Sequence, residues 1–374
     1  MKELSGILQA CALHPEKLVA LATLVKASGS TYRRPGARML VLADGQSIGT
    51  ISGGCLERAV ADKSQEISPA GEPVLQEYDT SSEEDIVFGA GLGCKGTVDI
   101  LIEPVRPDAV VSELFEFLAG VFQTRTSGCI ATIFKIQGDL PTRIGDRLFL
   151  NADGNVSGNI KDATLKSKLL HAAQEGLNSN RSKTLEFQLP CGTVEALVEV
   201  IHAPAPLVIF GAGYDAIPLA RIAKEIGFHV TVADIRPAYA QPSRFPEADA
   251  VVVVRPEEIA TLHLTQRTSA VIMSHNYSTD GAFLKALLPL PLRYLGLMGP
   301  KARAMKMLQE LRNSGFEAGE NLAHRIHNPV GLDIGAENSE QIALAILAEI
   351  QAVISGRPGG LLREKKGPIH APAC

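Results

Sequence analysis

One segment in the second half of the chain restricts the possible folds more than any other. A short apolar run leads into Gly-Ala-Gly-Tyr-Asp-Ala (211–216), then a helical pattern and a second apolar run ending at Asp234. This order of strand, G-x-G-x-x-A turn, helix, strand and acid is the fingerprint of dinucleotide-binding sheets. Gly211 permits the tight turn, Gly213 the approach of a pyrophosphate, and Ala216 the packing of helix on strand. We therefore predict a nucleotide site with Asp234 on a ribose hydroxyl; a Rossmann-like scaffold without a ligand is the alternative.

Strand and helix patterns continue to alternate through the second half. The last helical pattern has Asn338 as a candidate N-cap with Gln341 three residues later, and it stops at Gly356. This alternation predicts a C-terminal Rossmann-like, doubly wound parallel sheet. The predicted strands are 207–210, 229–233, 250–254, 270–273 and 294–297, and the predicted helices are 217–226, 281–288, 301–313 and 339–354.

Strand patterns predominate in the first half of the chain. They predict a mixed α+β N-terminal domain, so that the whole chain falls in the α/β class. No internal repeat is evident in the residue pattern. The predicted strands are 18–26, 38–43, 97–103, 129–136, 184–189 and 194–201, and the predicted helices are 55–65, 110–122 and 163–175.

A proline-containing segment, His202-Ala203-Pro204-Ala205-Pro206, separates the two halves. Alternating prolines favour an extended connector between two folded regions. We therefore predict an α+β domain over 1–203, a Rossmann-like domain over 204–357 and a polar tail over 358–374.

Composition excludes several classes of function. The 36 basic and 41 acidic residues give a net charge of −5, which leaves no broad positive surface for nucleic acid or anionic lipid. No apolar run approaches the roughly 20 residues that span a bilayer. The six cysteines form no C-x-x-C pair and no zinc-ligand spacing, so neither a disulfide framework nor a structural zinc site is indicated. We expect a cytoplasmic protein that binds neither nucleic acid nor membrane.

The first half contains a loop rich in arginine. Arg33, Arg34 and Arg38 lie within the segment Gly-Ser-Thr-Tyr-Arg-Arg-Pro-Gly-Ala-Arg (29–38). The planar guanidinium group stays charged and binds oxyanions with two parallel hydrogen bonds. The loop therefore predicts a phosphate or another oxyanion as ligand, and a solvated basic loop without a ligand is the alternative.

Two glycine-rich turns each end in a cysteine. Ser-Gly-Gly-Cys (52–55) precedes a helical pattern, so the Cys55 thiol is expected near the positive end of a helix, where its pKa falls. A thiolate can bind a soft metal, carry a persulfide or act as a nucleophile. Cys94 ends the second turn, and a buried, inert thiol is the alternative for both residues. Of the remaining cysteines, we expect Cys11, Cys129 and Cys191 to pack in the interior and Cys374 to lie in the tail.

Two further residues bear on the predicted nucleotide site. His275 follows the predicted strand 270–273, and open α/β sheets bind ligands at the carboxyl ends of their strands. It is a candidate base or hydrogen-bond donor, with a structural histidine as the alternative. Arg236, beside Asp234, is able to accept a 2′-phosphate or to form a surface ion pair.

Taken together, these residues resemble the XdhC/CoxI family, which are accessory factors for molybdenum hydroxylases such as xanthine dehydrogenase. Tyr214 departs from the histidine expected after Gly-Ala-Gly, and Lys95 departs from an expected glycine. The matching segments are 20–23, 29–30, 34–39, 53–57, 91–94 and 96–99 in the first half and 210–213, 234–236, 294–296 and 328–336 in the second.

The resemblance implies an accessory protein that binds molybdenum cofactor, as molybdopterin or its dinucleotide. It further implies that the protein aids sulfuration of the cofactor with a cysteine desulfurase, protects it, and inserts it into an apo molybdenum hydroxylase. A cofactor chaperone is then expected rather than a turnover enzyme. The rival hypotheses are an NAD(P)-dependent oxidoreductase that uses the Rossmann-like site and a scaffold for hydroxylase assembly. The Ala- and Leu-rich last helix leaves a homodimer open.

The resemblance also distributes roles among the residues already identified. Cys55, and with it Cys94, would face the molybdenum–sulfur end of the cofactor or relay sulfur, and Cys55 is the candidate molybdenum contact. NAD(P) or another nucleotide is the second candidate ligand. The residues assigned to binding are Arg33, Arg34, Arg38, Ser52, Gly53 and Gly54 in the first half and Gly211, Gly213, Ala216, Asp234 and His275 in the second.

Overall fold

The computed structural model describes residues 2–29, 31–67, 71–79, 96–105, 111–316 and 325–366. The chain divides between Ala203 and Pro204 into two compact units, called unit 1 and unit 2 below. In the described ranges no helix has both the length and the apolar character that crossing a bilayer requires. The predicted second cysteine turn with Cys94, and the C-terminal Cys374, lie outside the described residues.

Unit 1 contains two five-stranded antiparallel sheets. Its elements are α1 (Lys2–Leu13), β1 (Leu18–Gly29), β2 (Arg38–Leu42), β3 (Ser47–Gly49), α2 (Glu57–Glu66), β4 (Val74–Asp79), β5 (Gly96–Pro104), α3 (Val111–Thr124), β6 (Ser127–Gly138), β7 (Arg147–Asn151), β8 (Val156–Gly158), α4 (Ala163–Ser179), β9 (Lys183–Leu189) and β10 (Gly192–His202). The strand orders are β3-β2-β1-β5-β4 and β8-β7-β6-β10-β9. The predicted mixed α+β character of this half is confirmed.

The two sheets of unit 1 arise from an internal duplication. Each follows the order helix, three strands, helix, two strands, and each has the same strand order within its sheet. The expectation that the chain has no repeat is therefore wrong: the copies share element order and turn glycines, while identical residues are scattered. Identical pairs include Lys26 and Lys135, Gly36 and Gly145, Arg38 and Arg147, Gly49 and Gly158, and Glu103 and Glu199.

Two buried ion pairs join the copies reciprocally. Arg38 on β2 of the first copy binds Glu199 on β10 of the second, with N–O distances of 2.9 and 2.5 Å. Its counterpart Arg147 on β7 binds Glu103 on β5 of the first copy. None of these four side chains is more than 9% exposed. Because a buried charge is costly without a partner, each copy supplies the charge that the other needs.

Apolar packing follows the same symmetry. A small cluster between the sheets consists of Val25, Leu101, Phe134 and Leu197. Val25 and Phe134 occupy corresponding positions of β1 and β6, and the two leucines occupy corresponding positions of β5 and β10. The sheets are thereby fixed on each other, which also fixes the ends of β1 and β2 from which the arginine loop departs.

Unit 2 is a parallel six-stranded sheet. Its elements are β11 (Pro206–Phe210), α5 (Ala216–Glu225), β12 (His229–Asp234), β13 (Ala250–Val253), β14 (Ser269–Ile272), α6 (Tyr277–Leu287), β15 (Tyr294–Leu297), α7 (Lys301–Asn313), β16 (Ile326–His327) and α8 (Ser339–Ser355). The strand order is β13-β12-β11-β14-β15-β16, which is the 3-2-1-4-5-6 order of dinucleotide-binding folds. The predicted Rossmann-like, doubly wound sheet is confirmed.

Alternating residues of the strands cover both faces of this sheet. On β11, Leu207 and Ile209 join a core with α5 and α8, whereas Val208 and Phe210 join a core with α6 and α7. The apolar face of α8 is thus buried in the core of its own unit. The homodimer gains no support from this helix and stays a prediction.

The sheet of unit 2 has one point at which the chain changes direction. From β11 the chain proceeds to β12 and β13 on one side, and it then crosses over to β14 on the other. The loops after β11 and β14 therefore diverge and leave a crevice at the carboxyl ends of these two strands, where ligands of this fold bind. Gly211 directly follows β11, and His275 follows β14 by three residues, so each lies in one of these two loops.

Candidate functional site

The loop that carries Cys55 is organised around the carboxylate of Glu57. This carboxylate accepts hydrogen bonds from the backbone N–H groups of residues 51–54, at distances between 2.8 and 3.1 Å. It also accepts from the hydroxyls of Thr50 and Ser52. Ser52 Oγ in turn accepts the N–H of Cys55 at 3.1 Å. The loop is therefore held from within, without any ligand.

The charge of Glu57 explains the strength of this arrangement. Burial raises the pKa of Glu57, but the hydrogen bonds from Ser52 and Thr50 outweigh burial and bring it down from 4.5 to about 2. The ionised carboxylate occupies the backbone N–H groups of Ser52, Gly53 and Gly54, and cofactor binding by these three residues stays a prediction. The helix α2 begins at Glu57, two residues after Cys55, and the expected thiolate at Cys55 stays a prediction.

The arginine loop and the cysteine loop meet at the ring of Tyr32. A Cβ atom on Gly53 would lie 2.7 Å from two ring carbons of Tyr32, so only glycine lets the ring lie directly on this loop. The Tyr32 side chain is nevertheless 69% exposed. Cys55, two residues further along the loop, is exposed as well. Unit 1 thus carries an aromatic ring and a thiol on neighbouring, exposed parts of two touching loops.

The three arginines of the loop have different environments. Arg33 donates to both carboxylate oxygens of Glu3 on α1. Arg34 is exposed and forms no ion pair with any residue in the described ranges. The predicted phosphate contact of Arg38 is wrong, because β2 turns this side chain inward and its guanidinium group, 2% exposed, binds Glu199. Of the three, Arg34 has the guanidinium group that a surface phosphate can reach.

The cysteines also separate by environment. Cys129 is fully buried, and desolvation raises its pKa to about 12. Desolvation likewise raises the pKa of Cys11, which lies against the same unit's core, to about 11. The prediction that Cys191 packs in the interior is wrong, because this residue is exposed in the turn between β9 and β10. Within the described ranges no group of three or more His, Cys, Asp or Glu is placed to hold a metal ion.

The turn after β11 contains two glycines with different surroundings: the backbone geometry requires glycine at 211, whereas Gly213 has open space beside it. Gly211 has φ +117°, and a Cβ atom there would lie 2.6 Å from backbone atoms of Ser274. At Gly213 a Cβ atom would meet only His275 Cδ2, at 3.9 Å. Among the described residues, the backbone N–H groups of Gly213 and Tyr214 donate to no acceptor. The turn therefore offers both space and donors to an anionic group, as the fingerprint predicts.

Asp234 has a role different from the predicted one. Its side chain is 2% exposed and accepts the N–H of Ala212 at 2.7 Å and three N–H groups of Arg236 at 2.8–2.9 Å. Burial raises the pKa of Asp234, but these hydrogen bonds outweigh burial and lower it. Four donors fill the four acceptor positions of a carboxylate. The predicted hydrogen bond from a ribose hydroxyl to Asp234 therefore finds no free acceptor position in this arrangement.

Two arginines that follow β12 form cation–π contacts with two tyrosines, one after β12 and one in the turn between β11 and α5. The guanidinium carbon of Arg236 is 3.7 Å from the centre of the Tyr239 ring, and that of Arg244 is 5.2 Å from the same ring. Arg244 is also 5.7 Å from the ring of Tyr214, which is 81% exposed. Cation–π contact fixes both guanidinium groups at this edge of the sheet.

His275 stands on the other side of the crevice. Its backbone has φ +61°, a conformation that costs a non-glycine residue free energy and recurs at functional sites. Its Nε2 lies 3.0 Å from Asp215 Oδ2, and Ser339 Oγ donates to Asp215 Oδ1 at 2.6 Å. When Nε2 donates to the carboxylate, Nδ1 of the neutral ring is an acceptor. The side chain is 54% exposed, so this acceptor is accessible to a ligand.

Three residues that organise these sites are not identified by the sequence motifs. Glu57 follows Ser52 by five positions, whereas a capping box has a spacing of three, so no helix-capping pattern indicates its role. Asp215 and Ser339 are 124 residues apart, and no local pattern relates them.

Models of known protein families match both units. A model described as "XdhC Rossmann domain" matches residues 207–350 of unit 2. A model described as "XdhC and CoxI family" matches residues 12–79 and 122–188, one segment in each copy of the duplication in unit 1.

Individual proteins are similar over nearly the whole chain. A Bacillus subtilis protein named as a probable subunit of xanthine dehydrogenase is 32% identical over 90% of this chain and 94% of its own. "Molybdenum cofactor insertion chaperone PaoD" of Escherichia coli is 24% identical over 91% of this chain and 85% of its own. A crystal structure described as a xanthine dehydrogenase from Bacillus halodurans has a TM-score of 0.76 and 28% identity, and the match covers 96% of this chain and 97% of that one. The chain therefore belongs to the XdhC and CoxI family.

Proposed function

We propose that the protein is an accessory factor that binds molybdenum cofactor and delivers it to a molybdenum hydroxylase of the xanthine dehydrogenase type. Family membership supports an accessory role, and the name of the E. coli relative, an insertion chaperone, supports this cargo. The observation that carries the proposal is the contact of Tyr32 with Gly53, since it joins the arginine loop to the cysteine loop.

The chemistry of the joined loops suits this cargo. Molybdopterin offers a flat pterin, a phosphate and sulfur ligands on a soft metal. An exposed ring such as Tyr32 stacks on a flat heterocycle, and the exposed guanidinium group of Arg34 binds a phosphate. A thiol such as Cys55 suits molybdenum or its sulfur ligand. Arg33, bound to Glu3, holds the loop in position.

Cys55 also suits the finer steps of cofactor maturation. An exposed thiol can accept sulfur from the persulfide of a cysteine desulfurase and pass it on, whereas the buried thiol of Cys129 cannot. Cys55 would thus serve sulfuration, protection of the bound cofactor and its insertion into the apo-hydroxylase. Cys94 stays a candidate partner in this relay.

The proposal is tested on protein purified anaerobically from a host that makes molybdenum cofactor. Pterin is measured by mass spectrometry and molybdenum by metal analysis in wild type, Cys55→Ser and Cys191→Ser. Cys191 is the matched control, because it is an exposed thiol of the same unit. We expect wild type and Cys191→Ser to retain pterin and molybdenum. We expect Cys55→Ser to lose both. Wild-type protein without pterin or molybdenum would refute the proposal.

We propose that unit 2 binds a nucleotide, either the nucleotide part of a dinucleotide cofactor or NAD(P). The two N–H groups of Gly213 and Tyr214 without acceptors among the described residues, at the N-terminus of α5, support it. A second candidate function, an NAD(P)-dependent oxidoreductase, is favoured by one observation, the pairing of His275 with Asp215, since such a pair can transfer a proton. Turnover of NADH or NADPH that is lost in His275→Asn and kept in Cys55→Ser would support that candidate.

A further inference from the structure

The proposed nucleotide site lacks the acceptor that a free ribose hydroxyl normally finds. In sites of this topology that take NAD, the acidic residue at the end of the second strand accepts hydrogen bonds from the ribose. Here that residue is Asp234, and both of its oxygens already accept two hydrogen bonds each. A ribose hydroxyl that bound Asp234 would have to displace Arg236 or the N–H of Ala212 from a buried carboxylate, which is costly.

Arg236 presents donors at the same place. A guanidinium group has five N–H donors, and Arg236 uses Nε and one Nη2 hydrogen on Asp234, which leaves three. Its side chain is 40% exposed, and its plane is fixed at 3.7 Å from the Tyr239 ring. Arg236 follows β12 by two residues, so these donors lie where the ribose of the first nucleotide lies in this fold.

The local charge favours an anion at this point. Arg244 donates to the carbonyl oxygens of Ala212 and Tyr239 at 2.7 and 2.9 Å, which holds a second guanidinium group beside Arg236. Within the described residues, Asp234 is the one carboxylate bonded to either group. Two positive charges against one negative charge leave a net positive charge next to the ribose position, which suits a phosphate better than a neutral hydroxyl.

We infer that unit 2 selects dinucleotides that carry a 2′-phosphate on the ribose, the NADP(H) class, over those with a free 2′-hydroxyl, and that Arg236 is the selecting residue. The inference rests on the proposed nucleotide site and names its ligand class. The pyrophosphate would lie on the N–H groups of Gly213 and Tyr214, and the second nucleotide would extend towards His275 across the crevice.

The test is isothermal titration calorimetry of the full chain with NADP⁺, NAD⁺, 2′,5′-ADP and 5′-AMP. In wild type we expect the 2′-phosphorylated member of each pair to bind about ten- to a hundredfold more tightly, the gain of a charge-assisted hydrogen bond. Since this ratio is measured on the unaltered chain, it does not depend on whether a variant folds. In Arg236→Gln we expect the ratio to fall towards one with the affinity for NAD⁺ kept. Arg221→Gln, an exposed position on α5, is the control and should keep the wild-type ratio.

The outcomes separate this inference from the proposal beneath it. Equal affinity for NADP⁺ and NAD⁺, or tighter binding of NAD⁺, overturns the 2′-phosphate selection while leaving the nucleotide site in place. Absence of binding by every nucleotide overturns the site itself, and the cofactor proposal for unit 1 is then still decided by Cys55→Ser.

Discussion

At the residue scale, one carboxylate decides the shape of the cysteine loop. Glu57 receives four backbone N–H groups and two hydroxyls, so six hydrogen bonds hold the loop that contains two adjacent glycines. The thiol of Cys55 is then presented by a loop that need not be ordered when a cofactor or partner arrives. Such preorganisation lowers the entropy that binding must supply.

Replacement of Glu57 by glutamine should destabilise unit 1 in a pH-dependent way. At neutral pH we expect a loss of about 1–3 kcal/mol, because the loop donors lose a charged acceptor. The pKa of Glu57 is about 2 when folded against an ordinary value of 4.5, so its contribution is complete above about pH 4.5 and is lost as pH falls towards 2. Urea unfolding of wild type and Glu57→Gln from pH 7 to pH 2 measures this difference, which should shrink with acid. Glu66→Gln, at the exposed far end of α2, should show little effect at any pH.

Thiol alkylation should distinguish the cysteines in the native protein. We expect iodoacetamide at pH 8 to modify Cys55 and Cys191 rapidly, since both are exposed. Cys11 and Cys129 should react only after unfolding, because burial raises their pKa to about 11 and 12 and leaves almost no thiolate at this pH. Peptide mass spectrometry follows each site separately. Native labelling of Cys129 at the rate of Cys55 would contradict the buried position.

The sequence identifies the types of functional residues better than their partners. Arg38 and Asp234 are both polar residues at places where ligands bind, and the sequence predicts a ligand contact for each. In the structure both side chains are buried in ion pairs instead. Arg38 pairs with Glu199, and Asp234 pairs with Arg236. Glu199 lies 161 positions from Arg38, so only the folded sheets bring the two together.

At the element scale, local signals predict structure well where a cap or a period is strong. The capping box of Asn338 with Gln341 and the left-handed Gly356 start and end α8 as predicted, and α7 has the predicted bounds of 301–313. Elements with weak patterns escape prediction, among them α1, β4 and β7. On α1 only Ile7 and Ala10 are buried, so its apolar stripe is too short to show a helical period.

Two alanine substitutions in the β11–α5 turn should distinguish an effect on the stability of unit 2 from an effect on nucleotide binding. Gly211→Ala should destabilise unit 2 by about 1–3 kcal/mol or more, because φ is +117° and the new Cβ would lie 2.6 Å from the backbone of Ser274. Gly213→Ala should leave stability nearly unchanged, since its Cβ meets nothing closer than 3.9 Å.

Gly213→Ala should nevertheless weaken nucleotide binding, because the methyl group would stand where a pyrophosphate approaches the backbone. Thermal unfolding and calorimetric titration of both variants provide the two readouts. A Gly213→Ala variant that binds nucleotides as wild type does would remove the glycine turn from the proposed site.

At the scale of the whole molecule, the duplication in unit 1 explains why the proposed cofactor site belongs to one copy. Between β3 and α2 the first copy has the seven residues 50–56, whereas between β8 and α4 the second copy has the four residues 159–162. The extra length holds Gly53, Gly54 and Cys55. The second copy has no cysteine in this segment, so we expect one cofactor per chain. It supplies Glu199 and half of the core instead. The repeat escapes prediction from the residue pattern because the copies agree mainly in element order.

The reciprocal ion pairs should make the two copies depend on each other for stability. In both, the arginine Nε is buried and has no hydrogen-bond partner in the described structure, so the carboxylate is its main compensation. Glu199→Ala should therefore cost unit 1 about 3–5 kcal/mol, because Arg38 is left buried and unpaired, and Glu103→Ala should do the same through Arg147. Glu186→Ala on β9 is the exposed control.

Hydrogen exchange with mass spectrometry of the full chain reports this effect by region. In Glu199→Ala we expect faster exchange in peptides of both sheets of unit 1, since the lost pair joins β2 to β10, and unchanged exchange in unit 2. The double variant Arg38→Met/Glu199→Leu should recover most of the protection, because an apolar pair replaces a buried charge without leaving one unpaired. If Glu199→Ala exchanged no faster than Glu186→Ala, the ion pair would contribute nothing to the union of the two copies, and apolar clusters such as Val25 with Phe134 would have to account for it.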